Sequence, residues 1–286
     1  MWGKAAYCCA VAVQAHPLNR TFHWPDRPAT GLRRLTAEQV AQYNEQGFCL
    51  LKQAAAPDTV AELIAAIDPI EAQVGDYTIV LENQTAFTYE ADAMTFANDL
   101  VLALPKVRAF CASPLFQDVT HDLLGDDVRL YWNQAVYKKP DKGRTFPWHQ
   151  DNGYTFCEPQ AYLTCWLALT DATVDNGCPW VIPGLHRRGT LVHDDGDWGL
   201  QIRGIDAAQA DRAVAVPAAA GDMVIFSSLT PHKTGANVTD GVRKALILQY
   251  AADGACRIDS DGHAVRQNDP DRNFPILRGG EPIAAP

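Results

Sequence analysis

The spacing of apolar positions changes character near residue 128. Before that point it is helical: Val60, Leu63, Ile64 and Ile67 follow Pro57, which sits where a first helical turn tolerates proline. Thr36 followed by Gln39 matches a capping box, which opens a short helix that closes near Gly47. Residues 48–52 read as a strand, and helical spacing returns over 107–110 and 115–124, ending at Gly125. Beyond 128 the apolar runs become short and rich in β-formers, at 128–138, 145–151, 161–169, 178–182, 212–217, 222–228 and 243–251. Gly, Pro, Asn and Asp clusters separate them. This pattern predicts a mainly β sandwich or jelly roll, with N-terminal helices buttressing one sheet. Residues 186–211, with Gly189, Gly196 and Gly199, read as a long loop over the barrel mouth. Residues 1–35 read as an N-terminal arm, and 253–286 as a polar, irregular tail laid on the surface of a domain spanning 36–252.

Composition narrows the function. The chain has 286 residues, 47% of them hydrophobic, enough for one large core. The formal charge is 24 − 34 = −10 with no basic stripe, which argues against nucleic acid and gives no attraction to anionic membranes. No apolar run reaches 18 residues. Lys4 and the stretch 5–13 faintly resemble an export signal, but the apolar run is short and read as part of the arm. Eight cysteines form no CxxC pair, and several lie inside apolar runs. They read as reduced, buried thiols, with the cytoplasm as the expected compartment. Nothing in the sequence sets the oligomeric state.

Candidate chemistry sits in Phe146-Pro147-Trp148-His149-Gln150-Asp151. On a strand, His149 and Asp151 point to one face and supply two donors of a facial metal triad. His232, in Thr230-Pro231-His232 after the buried run 222–228, is the candidate third. About one His-x-Asp spacing is expected by chance, and the chain holds a second, His193-Asp194-Asp195, in a turn-like stretch where that geometry need not hold. Eleven residues after His232, Arg243 opens a strongly apolar strand; a buried guanidinium needs an anionic partner and offers a two-donor fork to a carboxylate. Thr234 shares the face of His232 and adds a hydroxyl. Asn133 alternates with apolar neighbours; it either faces the interior or makes an ordinary sheet-to-loop hydrogen bond. Tyr154, Phe156, Trp180 and Trp198 either line a pocket or cap the core. Lys138, Lys139, Lys142 and Arg144 are the nearest approach to a phosphate-binding cluster, and equally read as a solvated hairpin end.

These residues resemble the phytanoyl-CoA dioxygenase (PhyH) family of iron/2-oxoglutarate oxygenases. The likeness runs through Trp148-His149-Gln150-Asp151, the segment 162–171, Asn176-Gly177-Cys178-Pro179-Trp180-Val181-Ile182-Pro183-Gly184-Leu185-His186, Ala220-Gly221-Asp222, and Thr230-Pro231-His232 with Arg243. Leu185 departs from the serine many relatives carry there, and His186 reads as structural. The resemblance implies a double-stranded β-helix (cupin-like) fold with Fe(II) at His149, Asp151 and His232. It also implies 2-oxoglutarate anchored by Arg243 and Thr234, aided by Gln150, Trp166 and Asn133, with dioxygen as oxidant. The expected reaction is hydroxylation of a small molecule with release of succinate and CO2. The Asp151 carboxylate takes the coordination position a halide would need, which disfavours chlorination. Desaturation, epoxidation or cyclisation at the same iron, and a non-catalytic metal-binding jelly roll, are the alternatives.

Overall fold

The computed structural model describes residues 12–80, 86–140 and 144–286. Lys142 and most of the stretch 4–13 lie outside them. Two antiparallel sheets face each other. The larger runs Phe48–Leu51, Met223–Ser227, Leu163–Ala168, Arg243–Ala252, Val128–Lys138 and Pro275–Arg278, with Met94–Asn98 also paired to Val128–Lys138. The smaller runs Val214–Ala215, Pro179–Val181, His232–Thr234 and Phe146–His149. The expected jelly roll is therefore present, as are the capping box at Thr36 and the Pro57 start of the helix Pro57–Glu71.

The larger sheet is buried on both faces, which is why its central strands read as nearly continuous apolar runs. All six residues of Leu163–Ala168 are buried. Cys165, Leu167, Met223 and Ile225 join Val60, Leu63, Phe116 and Leu123 of the helices in the main core. Their alternates Trp166, Ala168, Val224 and Phe226 turn inward, toward Val181 of the smaller sheet. Gly221 makes the tight turn into Met223–Ser227 at φ +90°, and a Cβ there would lie 2.5 Å from the Ala55 carbonyl oxygen.

Two expectations need correction. Residues 253–286 are not irregular: Pro275–Arg278 joins the large sheet, and Phe274, Ile276 and Leu277 are fully buried. A four-residue apolar island amid polar residues is too short a signal for a strand. Residues 186–211 are not one long loop: they hold the 3-10 turn Leu185–Arg188, the hairpin His193–Gly196/Gly199–Ile202 and the helix Ala207–Ala210. A further hairpin, Tyr77–Val80 with Ala86–Tyr89, was not anticipated.

Candidate active site

The small sheet brings the distant histidines together. His232 pairs directly with His149 across adjacent strands, and the two ring centres lie 4.0 Å apart. The strand carrying His149 ends there rather than at 151, and Asp151 begins a short helical turn, Asp151–Tyr154. Gln150 stays extended at φ −114°, ψ 141°, and Asp151 still comes to the side of His149. Asp151 Oδ1 lies 3.8 Å from His149 Nε2 and 3.6 Å from His232 Nε2. Those separations are too long for hydrogen bonds and short enough for three donors to one ion.

The surrounding bonds aim the right atoms inward. Each imidazole Nδ1 meets a carbonyl oxygen at 2.9 Å, His149 at Pro147 and His232 at Thr230. A carbonyl only accepts, so Nδ1 carries the proton and Nε2 keeps its lone pair. Burial pushes His149 down to about 3, helped by the neighbouring His232, and pushes His232 to about 4. Both rings are neutral ligands at ordinary pH. Thr164 Oγ1 donates to Asp151 Oδ2 at 2.6 Å and accepts from Gln249 Nε2 at 3.2 Å, which leaves Oδ1 free. Burial alone would raise the Asp151 carboxyl; a bound cation favours the ionised form. Two neutral imidazoles and one carboxylate suit iron(II).

Arg243 lies on the wall of the same cavity. It is 1% exposed, yet Nε and Nη2 have no partner and Nη1 makes only a 3.4 Å contact with the Val136 carbonyl. Burial lowers its guanidinium to about 10, which still leaves it cationic. An orphaned buried fork of this kind fits a carboxylate. Trp166 and Thr234 line the same cavity, with the guanidinium carbon 5.3 Å from the Trp166 ring centre.

Two expected cofactor contacts lie elsewhere. Asn133 Oδ1 accepts from the Val101 backbone on the helix-covered face of the large sheet, while its neighbours Trp132 and Gln134 line the cavity. One residue of strand parity separates the two outcomes. The Gln150 side chain is consumed by backbone: it accepts from Leu191 N–H and donates to the Gly189 and Leu229 carbonyls. Sequence reasoning missed Thr164 and Gln249, although both sit at inward positions of strands it placed. It also misread Lys138, which is fully buried and donates to the Gly235 carbonyl; Lys139 pairs with Glu71 and Arg144 with Glu90. Of the four aromatics considered for a pocket, Tyr154 lines it.

The profile of the phytanoyl-CoA dioxygenase (PhyH) family matches residues 43–245, a span that includes all three donors and Arg243. The chain belongs to this family. It is 33% identical over 174 residues to a probable phytanoyl-CoA dioxygenase of Caenorhabditis elegans, covering 57% of this chain and 54% of that one. It is 26% identical over 275 residues to the human peroxisomal phytanoyl-CoA dioxygenase, covering 88% and 81%. Among solved structures, EctD from S. alaskensis with 2-oxoglutarate and 5-hydroxyectoine superposes with a TM-score of 0.65 at 25% identity, covering 96% and 92%. Membership of the PhyH family and the His-Asp-His cluster together make this chain a non-haem iron, 2-oxoglutarate-dependent dioxygenase.

Proposed function

We propose that this PhyH-family protein hydroxylates a small, largely apolar molecule, with His149, Asp151 and His232 holding Fe(II) and Arg243 gripping the distal carboxylate of 2-oxoglutarate. The observation that carries this reading is the unpaired Arg243 fork, buried in the wall of the cavity that the three donors share. Iron(II) with 2-oxoglutarate and dioxygen supplies the oxidising power, one oxygen atom entering the substrate and the other the succinate formed as CO2 leaves. The chain's part is to bind and orient. Thr164 and Gln249 fix the Asp151 carboxylate, and the Pro147 and Thr230 carbonyls fix the imidazoles. Trp166 lies beside Arg243, and Thr234 lines the same cavity.

The cavity holds about 280 Å³ and is walled by Tyr89, Phe96, Trp132, Phe146 and Tyr154. These rings exclude water and favour a hydrophobic or ring-bearing guest. Arg243 is the one Lys or Arg among its described lining residues. The human relative is named for phytanoyl-CoA; here the described basic residues nearest a CoA role are already bound within the protein, which favours a substrate without phosphates. Six described cysteines are free thiols, five of them buried, which supports the reading of a reducing compartment, the cytoplasm. No helix among the described residues is long and apolar enough to cross a membrane. We take 36–252 as the catalytic domain, with 1–35 as an N-terminal arm and 253–286 as a tail packed on it.

The test is succinate release from 2-oxoglutarate with added Fe(II) and ascorbate, against a panel of apolar small molecules and acyl-CoA thioesters. Substrate-stimulated succinate in the small-molecule arm, lost in Asp151→Ala, is expected. Tight Fe(II) binding without turnover in either arm would instead mean a binding module.

A further inference from the structure

His193, the first residue of the second His-x-Asp segment, touches the first. Its Nδ1 meets the Leu191 carbonyl at 2.9 Å, so that nitrogen carries the proton. Its Nε2 accepts from the Gln150 backbone N–H at 3.0 Å. Gln150 lies between His149 and Asp151, so this bond fixes the peptide that joins two of the three donors. The ring also rests on Gly153: a Cβ there would lie 2.2 to 2.5 Å from three ring atoms. Gly153 does not need an unusual φ; it needs to have no side chain.

The segment that carries His193 is itself held from both sides. Gln150 Oε1 accepts from Leu191 N–H at 2.7 Å, a second tie between the two motifs. Behind it lies the N-terminal arm, where Ala15 bridges to Leu191, His16 N–H donates to the Thr190 carbonyl at 2.8 Å and Val192 N–H to the Gln14 carbonyl at 2.9 Å. From below, Gln160 Oε1 accepts from the Thr190 N–H and hydroxyl. This bracing fixes the acceptor before any metal arrives.

We propose that His193 is a positioning residue for the iron site, a latch that sets the His149–Asp151 spacing through the Gln150 N–H and that Gly153 makes room for. The latch rests on the ligand assignment above. Ligands pre-set in this way bind metal without paying for their own ordering.

The test is titration of metal-free protein with Co(II), reading affinity and the visible absorption of the bound ion, alongside thermal unfolding of the metal-free form. His193→Phe keeps a ring but removes the acceptor; it is expected to weaken Co(II) binding about tenfold or more. Gly153→Ala, which keeps the imidazole but displaces it, should act in the same direction with an altered spectrum. His193→Gln retains an acceptor near the Nε2 position and should restore affinity to within about threefold. Wild-type affinity in both His193→Phe and Gly153→Ala would overturn the latch, as would losses that follow melting temperature alone with no rescue by His193→Gln. Should His193→Phe not fold, Gly153→Ala and His193→Gln decide. Asp151→Ala separates the two ideas: if it still binds Co(II) as wild type does, the ligand assignment fails; if only it loses the ion, the latch alone fails.

Discussion

His149 and His193 each open a His-x-Asp segment; the first imidazole is buried and the second half-buried, and each is neutral and bonded through Nδ1 to the carbonyl two residues earlier. The segments diverge at the carboxylate. After His149 the strand stops, the chain turns into a helical turn, and Asp151 faces His232 with Thr164 holding its second oxygen. After His193 the strand continues into a hairpin, where both carboxylates are exposed and Asp194 pairs with Arg203. The spacing of two residues is common to both; a third donor and a braced carboxylate are not. What makes a metal site is the enclosing sheets, and the same motif outside them becomes a support.

The largest effect should come from exchanging the carboxylates in turn. Asp151→Ala is expected to lower 2-oxoglutarate turnover more than about a hundredfold, because it deletes a ligand as well as its bracing. Asp195→Ala should stay within about twofold. Equal losses in the two variants, measured as succinate formed, would erase the distinction. Next comes Arg243→Met, which removes a charged fork at a buried site. Charge-assisted bonds are worth about 1.5–3 kcal/mol, so the KM for 2-oxoglutarate should rise about tenfold to a hundredfold. A variant with an unchanged KM would show that Arg243 does not hold the cosubstrate.

Thr164→Val sharpens the comparison at the bracing itself. It leaves Asp151 Oδ2 without its donor, and metal affinity should fall about tenfold in an Fe(II) or Co(II) titration while the fold persists. The smallest effect concerns protonation. Burial pushes His186, which belongs to neither motif, down to about 4. Unfolded, it titrates near 6.5, so between those values the unfolded chain binds the extra proton and stability falls as pH drops. His186→Gln should therefore flatten the decline in melting temperature of the metal-free protein between about pH 6.5 and 4.5. A slope equal to wild type would contradict the depressed value.

Much of this was legible in the sequence because the relevant signals are local. The capping box at Thr36, the apolar run 222–228 and the pair His149/Asp151 each announce themselves within six or seven residues. Even there the physical route differed, since Asp151 reaches the site from a helical turn rather than along a strand. What was not legible depends on pairing across the fold. Asn133 and Gln134 are both polar residues in an apolar strand, and only the register against Arg243–Ala252 and the helices decides that Gln134 turns inward while Asn133 caps Val101. Lys138 looked solvated because the covering Gly235 lies 97 residues away. Gln150 looked like a cofactor contact because its neighbours are ligands, yet three backbone groups from two other segments absorb it entirely. The strand Pro275–Arg278 is visible only between its partners Val128–Lys138 and Glu281–Pro282.

Everything proposed for this site depends on where the metal binds. Anomalous diffraction from crystals grown with Fe(II) and 2-oxoglutarate under anaerobic conditions would locate it directly. The expected result is a single strong peak about 2 Å from His149 Nε2, Asp151 Oδ1 and His232 Nε2, with the distal carboxylate of 2-oxoglutarate on Arg243. A peak at His193 and Asp195, or one that leaves His232 out of reach, would contradict it.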